Sequence, residues 1–585
     1  MKSDAIAFLS CVFLPRSEMA EIGKPALHIT LFFFFMSFQT YRGEAGPKYS
    51  FLHQAKSGPA DRLEYDYIVI GGGTSGCPLA ATLSKNYTVL LLERGGTPYG
   101  NKNISNEASF IETLSDTSPS SASQRFISED GVINARARVL GGGSCLNAGF
   151  YTHASADYIA ETGWDAKLVN ESYDWVEKVV VNEPVMLQWQ SAMRDGLLEV
   201  GVEPFNGYTF DHVYGTKIGG SIFDQSGHRH SAADLLRYSE PDNLTVLLHA
   251  TVHRILFKYK GRKIPKAHGV VFQDGTGKKH RVYLKKDPKS EIVISAGALG
   301  SPQLLILSGV GPSEQLKSLG INMMVEQPLV GQGMSDNPMN AIFVPSPVPV
   351  EISLIRVVGI TRLGTYIEGA SGSNFAGVAT DFGMLSPQTV QPKQKTPEAI
   401  AKAIETLKAL PTSSFRGGFL LEKVIGPVSK GDLKVISRNP GKNPKVKFNY
   451  FKDPEDLRRC VEGLKTIEKV IDSKAFSRFR YAGLSVQNMM NITAGYPMNL
   501  LPRHSNDSVS LEQYCKDTVM TIWHYHGGCR TNEVVDSDYR VIGADGLRVI
   551  DGSTFHSSPG TNPQATVMML GRYMGIKIIG ERSED

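Results

Sequence analysis

The pattern of apolar positions is clearest in residues 65–96, where short apolar runs alternate with polar turns. Tyr67–Ile70 is a β-branched run typical of a buried strand, and residues 79–83 have the composition of a helix. A second apolar run follows at 87–92. The order of strand, turn, helix and strand predicts a parallel βαβ unit and therefore an α/β fold.

Later segments follow other patterns. Residues 340–430 are rich in Pro, Ser and Thr and weakly periodic, which predicts sheet and loops. Residues 453–476 predict a helix, because apolar side chains recur at helical spacing at Leu457, Val461, Leu464, Ile467 and Ile471. With 585 residues the chain exceeds the length of about 250–300 at which a single core stops growing, so two domains are expected.

The N-terminus has the pattern of a secretory signal. Lys24 precedes the apolar run Ala26–Phe38, and small or polar residues follow, which predicts a signal-like segment over residues 1–45. The run is short for a membrane span of about 20 residues, but an uncleaved anchor remains the alternative. The protein could start at Met1 or at Met19. Secretion agrees with six Asn-x-Ser/Thr sequons, at Asn86, Asn103, Asn170, Asn243, Asn491 and Asn506.

Charge and cysteine content narrow the class of function. The chain has 62 basic and 58 acidic residues, and a net charge of +4 on so large a protein argues against nucleic acid as a partner. Of the six cysteines, Cys11 lies in the signal-like segment, and no Cys-x-x-Cys or zinc-like spacing occurs. Disulfides are therefore expected as occasional cross-links and not as the framework of the fold.

The turn after the first predicted strand has the spacing Gly71-x-Gly73-x-x-Gly76, and Glu93 ends the second apolar run. In a dinucleotide-binding unit the first glycine makes the tight turn, the second lets a pyrophosphate approach, and the third lets helix pack on strand. The acid then accepts hydrogen bonds from a ribose. A lone motif of this kind also occurs as a plain glycine turn, but both strands and the acid are in place here. The pattern does not separate NAD from FAD, whereas a signal-bearing chain favours FAD.

A second glycine cluster lies in ARARVLGGGSCLNAGFYTHA, residues 135–154. Three consecutive glycines, followed by Ser144 and Asn147, form a loop that can place backbone amides against an anionic or polar surface. A flexible linker is the alternative interpretation. Such linkers are usually rich in serine and lack apolar neighbours like those found here.

Five motifs in this order resemble the glucose–methanol–choline (GMC) oxidoreductases, and within them the plant branch of HOTHEAD-like proteins and FAD-containing (R)-mandelonitrile lyases. They are GGGTSGC with LLERGG, ARARVLGGGSCLNAGFY, SAGALGSPQLLILSGVGP, VGQGMSDNP, and WHYHGGC with LRVIDGSTF and TNPQATVMMLG. The resemblance covers the chain from about residue 62 to its end. It implies a Rossmann-like FAD-binding domain with a parallel sheet (residues 62–155, 210–335 and 515–585). It also implies an inserted substrate domain with a mainly antiparallel sheet and helices (156–209 and 336–514).

The resemblance also implies a set of FAD-binding residues, with Val252 near the adenine and Val139, Ser144 and Asn147–Phe150 along the pyrophosphate and isoalloxazine. The full expected set is Gly71, Gly73, Thr74, Ser75, Gly76, Glu93, Arg94, Val139, Gly143, Ser144, Asn147, Ala148, Gly149, Phe150, Val252, Trp523, Asp551, Gly552, Pro563 and Gln564. Some relatives attach the flavin through a histidine where this chain has Leu146, so non-covalent FAD is expected. Cys460 and Cys515 match a disulfide pair of the lyase branch, although free thiols remain an alternative.

Near the C-terminus, TIWHYHGGC (521–529) places His524 and His526 two residues apart. Taken alone, the pair could serve packing, metal binding or catalysis, and on a strand both rings would share one face, as a metal site requires. No further His, Cys or carboxylate lies nearby in sequence at ligand spacing, so no metal is expected.

The resemblance places His524 on the family's catalytic histidine, with Gly528 where the motif has threonine. Asn562 falls on the second catalytic position, where the family uses histidine or asparagine. A mostly neutral histidine can accept the hydroxyl proton, whereas asparagine can only hydrogen-bond the substrate oxygen. The segment is therefore expected to be a strand that presents the base His524 to the flavin, with His526 as a supporting neighbour.

Three functions remain to be compared. The first is a secreted FAD-dependent alcohol dehydrogenase or oxidase, which transfers hydride from a CH–OH group to flavin N5. Its small-molecule substrate would be a long-chain ω-hydroxy fatty acid or another primary alcohol, and its electron acceptor is unknown. The alternative is a hydroxynitrile (mandelonitrile) lyase with structural FAD, and these lyases carry a second histidine where this chain has Asn562. The third is a flavin-binding protein with little turnover, which His524 and the intact glycines disfavour.

The expected location is extracellular or in the endomembrane lumen, on the cell wall side of a plant cell. No stable membrane span is expected after removal of the signal, because no later segment of the sequence resembles a membrane helix.

Overall fold

The structure is a computed structural model that describes residues 47–57, 63–116, 118–259, 261, 263–372, 416–495, 499–501 and 510–583. The signal-like segment 1–45, the alternative start Met19 and the sequon at Asn506 lie outside these residues.

The strands are β1 Leu52–Gln54, β2 Glu64–Tyr65, β3 Tyr67–Ile70, β4 Val89–Leu92, β5 Ser123–Ile127, β6 Ile133–Ala137, β7 Phe150–Tyr151, β8 Phe205–Tyr208, β9 Gly215–Ile218, β10 Gly220–Ser221, β11 Leu244–Leu248, β12 Thr251–Lys258, β13 Lys266–Gln273, β14 Lys279–Leu284, β15 Glu291–Ile294, β16 Val310–Gly311, β17 Val325–Glu326, β18 Gln332–Met334, β19 Pro338–Pro345, β20 Val357–Ile360, β21 Thr365–Ser371, β22 Gly417–Val424, β23 Gly431–Lys434, β24 Lys445–Lys447, β25 Met520–Thr521 and β26 Leu547–Val549. The α-helices are α1 Gly76–Leu83, α2 Lys102–Ser105, α3 Phe110–Ser115, α4 Ala156–Thr162, α5 Ala166–Val180, α6 Gln188–Glu199, α7 Gly297–Leu307, α8 Ser313–Ser318, α9 Pro454–Asp472, α10 Val486–Gly495, α11 Leu511–Thr518 and α12 Gln564–Ser583.

A six-stranded parallel sheet with the order β1-β11-β4-β3-β15-β26 confirms the predicted α/β unit. Its central strands are continuous apolar runs because helices cover one face and the mixed sheet β12-β13-β14-β2 covers the other. Along β3, Ile68 and Ile70 face this mixed sheet, while Tyr67 and Val69 face α1 and α12. The carboxyl ends of β3, β4, β15 and β26 lie at one edge of this sheet, where an open parallel sheet binds its ligand.

A second large sheet has seven strands in the order β25-β19-β22-β21-β20-β9-β8, and its pairs are antiparallel except β8 with β9. This is the mainly antiparallel sheet that was predicted. Helix α9 was predicted over 453–476 and occupies Pro454–Asp472, with Asp453 capping its N-terminus.

The seven-stranded sheet has two different faces because successive side chains of a strand point to opposite sides. On β22, Leu420 and Val424 belong to the core against helices α6, α9 and α10. Phe419 and Leu421 belong to a separate cluster with Met339 on β19 and residues near β25. This second face forms a wall of the site described below.

Cys460 on α9 and Cys515 on α11 form the predicted disulfide, across 55 residues of sequence. Cys77, Cys145 and Cys529 are free and buried. The described residues from Lys48 onward form one compact unit, so the domain boundaries given above stay a prediction. Among the helices of the described residues, none combines the length and apolar character that crossing a membrane requires.

Candidate active site

The first glycine motif forms the turn that follows the carboxyl end of β3 in the parallel sheet. Gly71 has φ +102°, and a Cβ there would lie 2.3 Å from the carbonyl oxygen of Ser295, so only glycine fits this turn. At Gly76 a Cβ would lie 1.9 Å from the carbonyl oxygen of Gly71, which lets α1 pack closely on the turn. A Cβ on Gly73 would meet no atom nearer than 3.8 Å. Gly73 therefore leaves backbone open to a ligand.

The two glycine clusters meet. Gly141 and Gly142 both have positive φ, and a Cβ on Gly142 would lie 2.7 Å from the Cα of Gly73. Ser144 fixes the second loop, because its hydroxyl donates to the carbonyl of Gly141 at 2.7 Å and accepts from the Ala232 amide at 2.9 Å. Two backbone segments thus border one cleft.

That cleft comprises two adjoining cavities, of about 250 and 310 Å³, which share Thr74, Gly143 and Trp523 in their linings. Among the expected cofactor-binding residues, the first cavity is lined by Gly71, Gly73, Thr74, Ser75, Glu93, Arg94, Val139, Gly143, Val252, Trp523, Asp551 and Gly552. The second is lined by Thr74, Gly143, Ser144, Asn147, Ala148, Gly149, Phe150, Trp523, Pro563 and Gln564, and also by His524 and Asn562. Gly76 lies in neither lining, in keeping with its packing role.

Buried polar groups face the first cavity. The Glu93 carboxylate accepts from the Gly72 amide at 2.9 Å and from the Gly95 amide at 2.7 Å, and burial raises its pKa. Ser75 Oγ and Arg136 Nη2 are buried without hydrogen-bond partners among the described residues. A ligand with acceptor groups would satisfy both, because unpaired buried donors are costly. Arg136 was not expected from the sequence.

Other expected residues hold the site together. The Arg94 guanidinium donates to Gln124 Oε1 and to the carbonyl of Ala137, both at 2.6 Å, so it braces the wall of the first cavity. Asp551 accepts from the Gly297 amide at 2.8 Å and from Ser301 Oγ at 2.5 Å, which fixes the start of α7.

Asn147 and Gln564 join the second glycine loop to the start of α12. Asn147 Nδ2 donates to Gln564 Oε1 at 2.8 Å, and Gln564 Nε2 donates to the Phe150 carbonyl at 2.6 Å. Arg229, which sequence reasoning missed, donates to Asn147 Oδ1 at 3.1 Å and to the Ser144 carbonyl at 3.0 Å. Burial lowers the pKa of Arg229 to about 10.

The prediction of a strand at His524 is wrong. Strand β25 ends at Thr521, and Trp523 has φ +59°, a left-handed conformation that interrupts an extended strand. Asp336 holds the irregular segment: its carboxylate accepts from Tyr450 OH at 2.5 Å, from Thr521 Oγ1 at 2.7 Å and from the His524 amide at 3.1 Å. Burial raises the pKa of Asp336 to about 7.

His524 is buried and lines the second cavity. Burial, together with the positive charge of Lys423 and the neighbouring His526, holds its pKa well below 6.5, so the ring is neutral at neutral pH. Asn337 Nδ2 lies 3.5 Å from Nδ1 of the ring. A contact of this length is too weak to fix the tautomer, so either ring nitrogen can accept a proton.

His526 lies outside both cavity linings. Its Nδ1 donates to the carbonyl of His524 at 3.0 Å, and its backbone pairs with Ser335. Burial lowers its pKa to about 4. Within the described part of the chain, the only trio of His, Cys or carboxylate side chains at ligand distance is Glu422 with the disulfide pair Cys460 and Cys515. The two histidines are not part of it.

Asn562 stands beside a buried ion pair. Lys423 Nζ donates to Asn562 Oδ1 at 3.2 Å and lies 2.8 Å from Glu368 Oε2. The Lys423 and Glu368 side chains are 0% exposed, and Glu368 also lines the second cavity. This pair was not expected from the sequence.

The rest of the second cavity is mostly apolar. Its wall is the second face of the seven-stranded sheet, and apolar side chains from α3 and the β25 region complete it. The apolar lining includes Phe110, Ile111, Leu114, Met339, Ala341, Ile355, Phe419, Leu421, Met520 and Ile522. An apolar cavity with a few polar groups at one end binds a mainly apolar small molecule and orients it by those polar groups.

Comparison with known families matches residues 65–339 and 427–571 to the N- and C-terminal models of the GMC oxidoreductases. The chain belongs to the GMC oxidoreductase family. It is 52% identical to Protein HOTHEAD of Arabidopsis thaliana over 526 residues, which cover 88% of each chain. It is 46% identical to an (R)-mandelonitrile lyase-like protein of the same plant over 525 residues, covering 88% of this chain and 90% of the relative.

A third relative is Sinalpyl alcohol oxidase Nec3 of Nesocodon mauritianus, 43% identical over 564 residues that cover 95% of this chain and 96% of the relative. Among solved structures, pyridoxine 4-oxidase from Mesorbium loti superposes with a TM-score of 0.69 at 20% identity, covering 88% of this chain and 98% of that one. Its family and these relatives identify the 585-residue chain itself as an FAD-dependent alcohol oxidoreductase.

The first cavity fits FAD by the chemistry of its lining. Gly71 and Gly73 leave room for a pyrophosphate near the start of α1, and Glu93 is a carboxylate acceptor at the end of β4. The unpaired donors of Ser75 and Arg136 suit phosphate or ring acceptors. The second cavity, with His524 at its polar end, adjoins this lining through Thr74, Gly143 and Trp523.

Proposed function

We propose that this enzyme oxidises a primary alcohol with an apolar chain, using His524 as the base and Asn562 to orient the substrate oxygen. The observation that carries the proposal is the position of His524 and Asn562 in one apolar cavity that adjoins the glycine-lined cavity. FAD supplies the hydride acceptor. The His524 ring accepts the hydroxyl proton, which its neutral state allows.

The cavity lining supports an apolar substrate. Phe419, Leu421 and Met339 form its wall, and burying apolar substrate surface against them gives about 25 cal/mol per Å². A long-chain ω-hydroxy fatty acid or another primary alcohol fits this description. The alcohol oxidase name of one relative agrees with an oxidoreductase.

We further propose that FAD binds non-covalently and that the protein is secreted. Leu146 lines the second cavity where some family members carry the attaching histidine, and its side chain has no nucleophile. The signal-like segment at 1–45 and the glycosylation sequons support secretion to the endomembrane lumen or the cell wall. A denatured, precipitated sample should release all flavin into the supernatant, and flavin retained on the protein would contradict non-covalent binding.

The test is anaerobic addition of primary alcohols of increasing chain length while the absorbance of the bound flavin is followed. Bleaching by an apolar alcohol is the expected result. Replacing His524 with alanine should slow bleaching by roughly 100- to 10,000-fold, the range for loss of a general base. The matched control His526→Asn keeps a donor to the His524 carbonyl and should retain the rate.

Two outcomes would reject the proposal. If mandelonitrile is cleaved to aldehyde and cyanide, and no alcohol bleaches the flavin, the protein is a lyase, as the names of several relatives suggest. If no ligand changes the flavin or is consumed, the protein is a flavin-binding protein with little turnover.

A further inference from the structure

Two charged residues interrupt the otherwise apolar sheet face that lines the second cavity. Lys423 on β22 and Glu368 on β21 are fully buried, and Lys423 Nζ lies 2.8 Å from Glu368 Oε2. Their neighbours on this face are apolar, including Leu421 on the same strand and Ala370 on β21.

Stability does not explain this pair. Removing two charges from water costs more than their attraction usually returns, and replacing such a pair with apolar residues of similar volume is often neutral or stabilising. On a face already lined by Phe419 and Leu421, two apolar residues would fit the pattern of the strand. The pair therefore has a role other than holding the sheet together.

The contacts of Lys423 identify that role. Its ammonium group lies beside the Glu368 carboxylate, 4.5 Å from the centre of the Tyr366 ring, and 3.2 Å from Asn562 Oδ1. A lysine ammonium only donates hydrogen bonds, so the oxygen of the Asn562 amide must face it. The NH2 group of that amide is then the polar group that Asn562 can offer to the cavity.

We propose that Lys423 is a positioning residue, which fixes the Asn562 amide so that its NH2 group donates a hydrogen bond to the substrate oxygen. The Glu368 carboxylate, with Oε2 2.8 Å from Lys423 Nζ, holds the lysine in place within the apolar wall. Without Lys423 the amide can turn and present its oxygen to the substrate oxygen, which repels it. This inference rests on the proposed function of Asn562.

The test is a double-mutant cycle on the rate of flavin bleaching at saturating alcohol. The pair variant Lys423→Met with Glu368→Gln leaves no unpaired buried charge and should lower the rate roughly 100-fold, the size expected for losing one oriented donor. Asn562→Ala should lose a similar factor. At a pH well above 6.5, where burial keeps His524 neutral with or without the charge of Lys423, the triple variant should be no slower than Asn562→Ala, because Lys423 then acts only through Asn562.

Controls separate positioning from a general loss of structure. Lys423→Gln combined with Glu368→Gln retains an N–H donor without leaving a buried charge unpaired, and it should recover at least about tenfold of the loss, as expected for a restored hydrogen bond to the amide. Lys217→Met removes another fully buried lysine, whose ammonium donates to Thr152 Oγ1 at 2.8 Å and to no residue of the site, and should keep the rate. The dissociation constant of the alcohol should change little in all variants, since the apolar wall binds the chain.

A triple variant slowed by the product of the two separate factors would overturn the inference, as would a pair variant within about threefold of the unmodified enzyme. Either result leaves the proposed function intact, provided that the unmodified enzyme is bleached by alcohols. Failure of the proposed function is seen separately, as a flavin that no alcohol bleaches.

Discussion

Asp336 offers the sharpest test of the energetics of the site. Its buried carboxyl group accepts hydrogen bonds from Tyr450, Thr521 and the backbone amide of His524. Burial raises the pKa of this carboxyl group from 3.8 to about 7. An acid whose pKa is raised by folding contributes stability that is complete below the unfolded pKa and lost as the pH rises through the folded pKa. The shift of about 3 units, at 1.36 kcal/mol per unit, corresponds to about 4 kcal/mol.

The variant Asp336→Asn cannot ionise and keeps an oxygen acceptor for the His524 amide. Its free energy of unfolding, minus that of the unmodified enzyme, should therefore grow by about 4 kcal/mol between pH 4 and pH 8 and stay constant above. Urea unfolding, followed by flavin fluorescence at a series of pH values, measures this difference. A difference that changes by less than about 1 kcal/mol over the range would refute the assigned ionisation.

Asp538→Asn provides the matched control. Burial alone would raise the pKa of Asp538, but hydrogen bonds and charges from Lys577 and Arg540 outweigh it and lower the pKa. An acid with a lowered pKa loses its contribution only as the pH falls below its unfolded value of 3.8. For this variant the difference in unfolding free energy should therefore stay constant between about pH 4 and pH 8 and change with pH in the opposite direction only at lower pH.

Three further predictions concern the cleft and the fold. Gly73→Ala has room for the new methyl group, so this variant should fold normally but bind less flavin. Gly76→Ala places the methyl group 1.9 Å from the Gly71 carbonyl oxygen, so this variant should have a lower unfolding temperature. If both variants changed flavin content and unfolding temperature equally, the separate roles of the two glycines would be contradicted. Replacing Cys460 and Cys515 with serine should cost about 4 kcal/mol in the loop-entropy model, since the disulfide closes 55 residues, and an unchanged unfolding midpoint would count against it. Because the pKa of His524 lies well below 6.5, the bleaching rate should be constant above this pH and fall only well below it; stopped-flow rates that halve near pH 6.5 would contradict the pKa shift.

Local patterns predicted the parallel sheet and its glycine turn, because Gly71 and Glu93 follow apolar runs whose strand character is evident from a few residues. The sequence could not predict the contact of Asp336 with Thr521, since these positions are far apart in sequence and meet only when β25 pairs with β19 in the seven-stranded sheet. Nor could it predict the end of β25, because a tryptophan rarely adopts the left-handed conformation found at Trp523.

The ion pair of Lys423 with Glu368, which lies beside Asn562, could not be predicted from the sequence either. The segment containing Lys423 reads GGFLLEKV, and a lysine at its end would ordinarily be placed at the surface, because lysines are almost never fully buried unless paired. Its partner Glu368 lies on another strand, 55 positions earlier in the sequence. Only the strand register brings the two together.

The two faces of β22 also separate two kinds of substitution. Substitutions at Phe419 and Leu421 alter the shape of the substrate cavity, while Leu420 and Val424 between and beside them continue to anchor the sheet on its helices. The shape of the cavity can therefore be changed at alternate residues of one strand, without rebuilding the layer that packs on the helices. A library restricted to the cavity-facing positions would sample new substrates at low risk to stability.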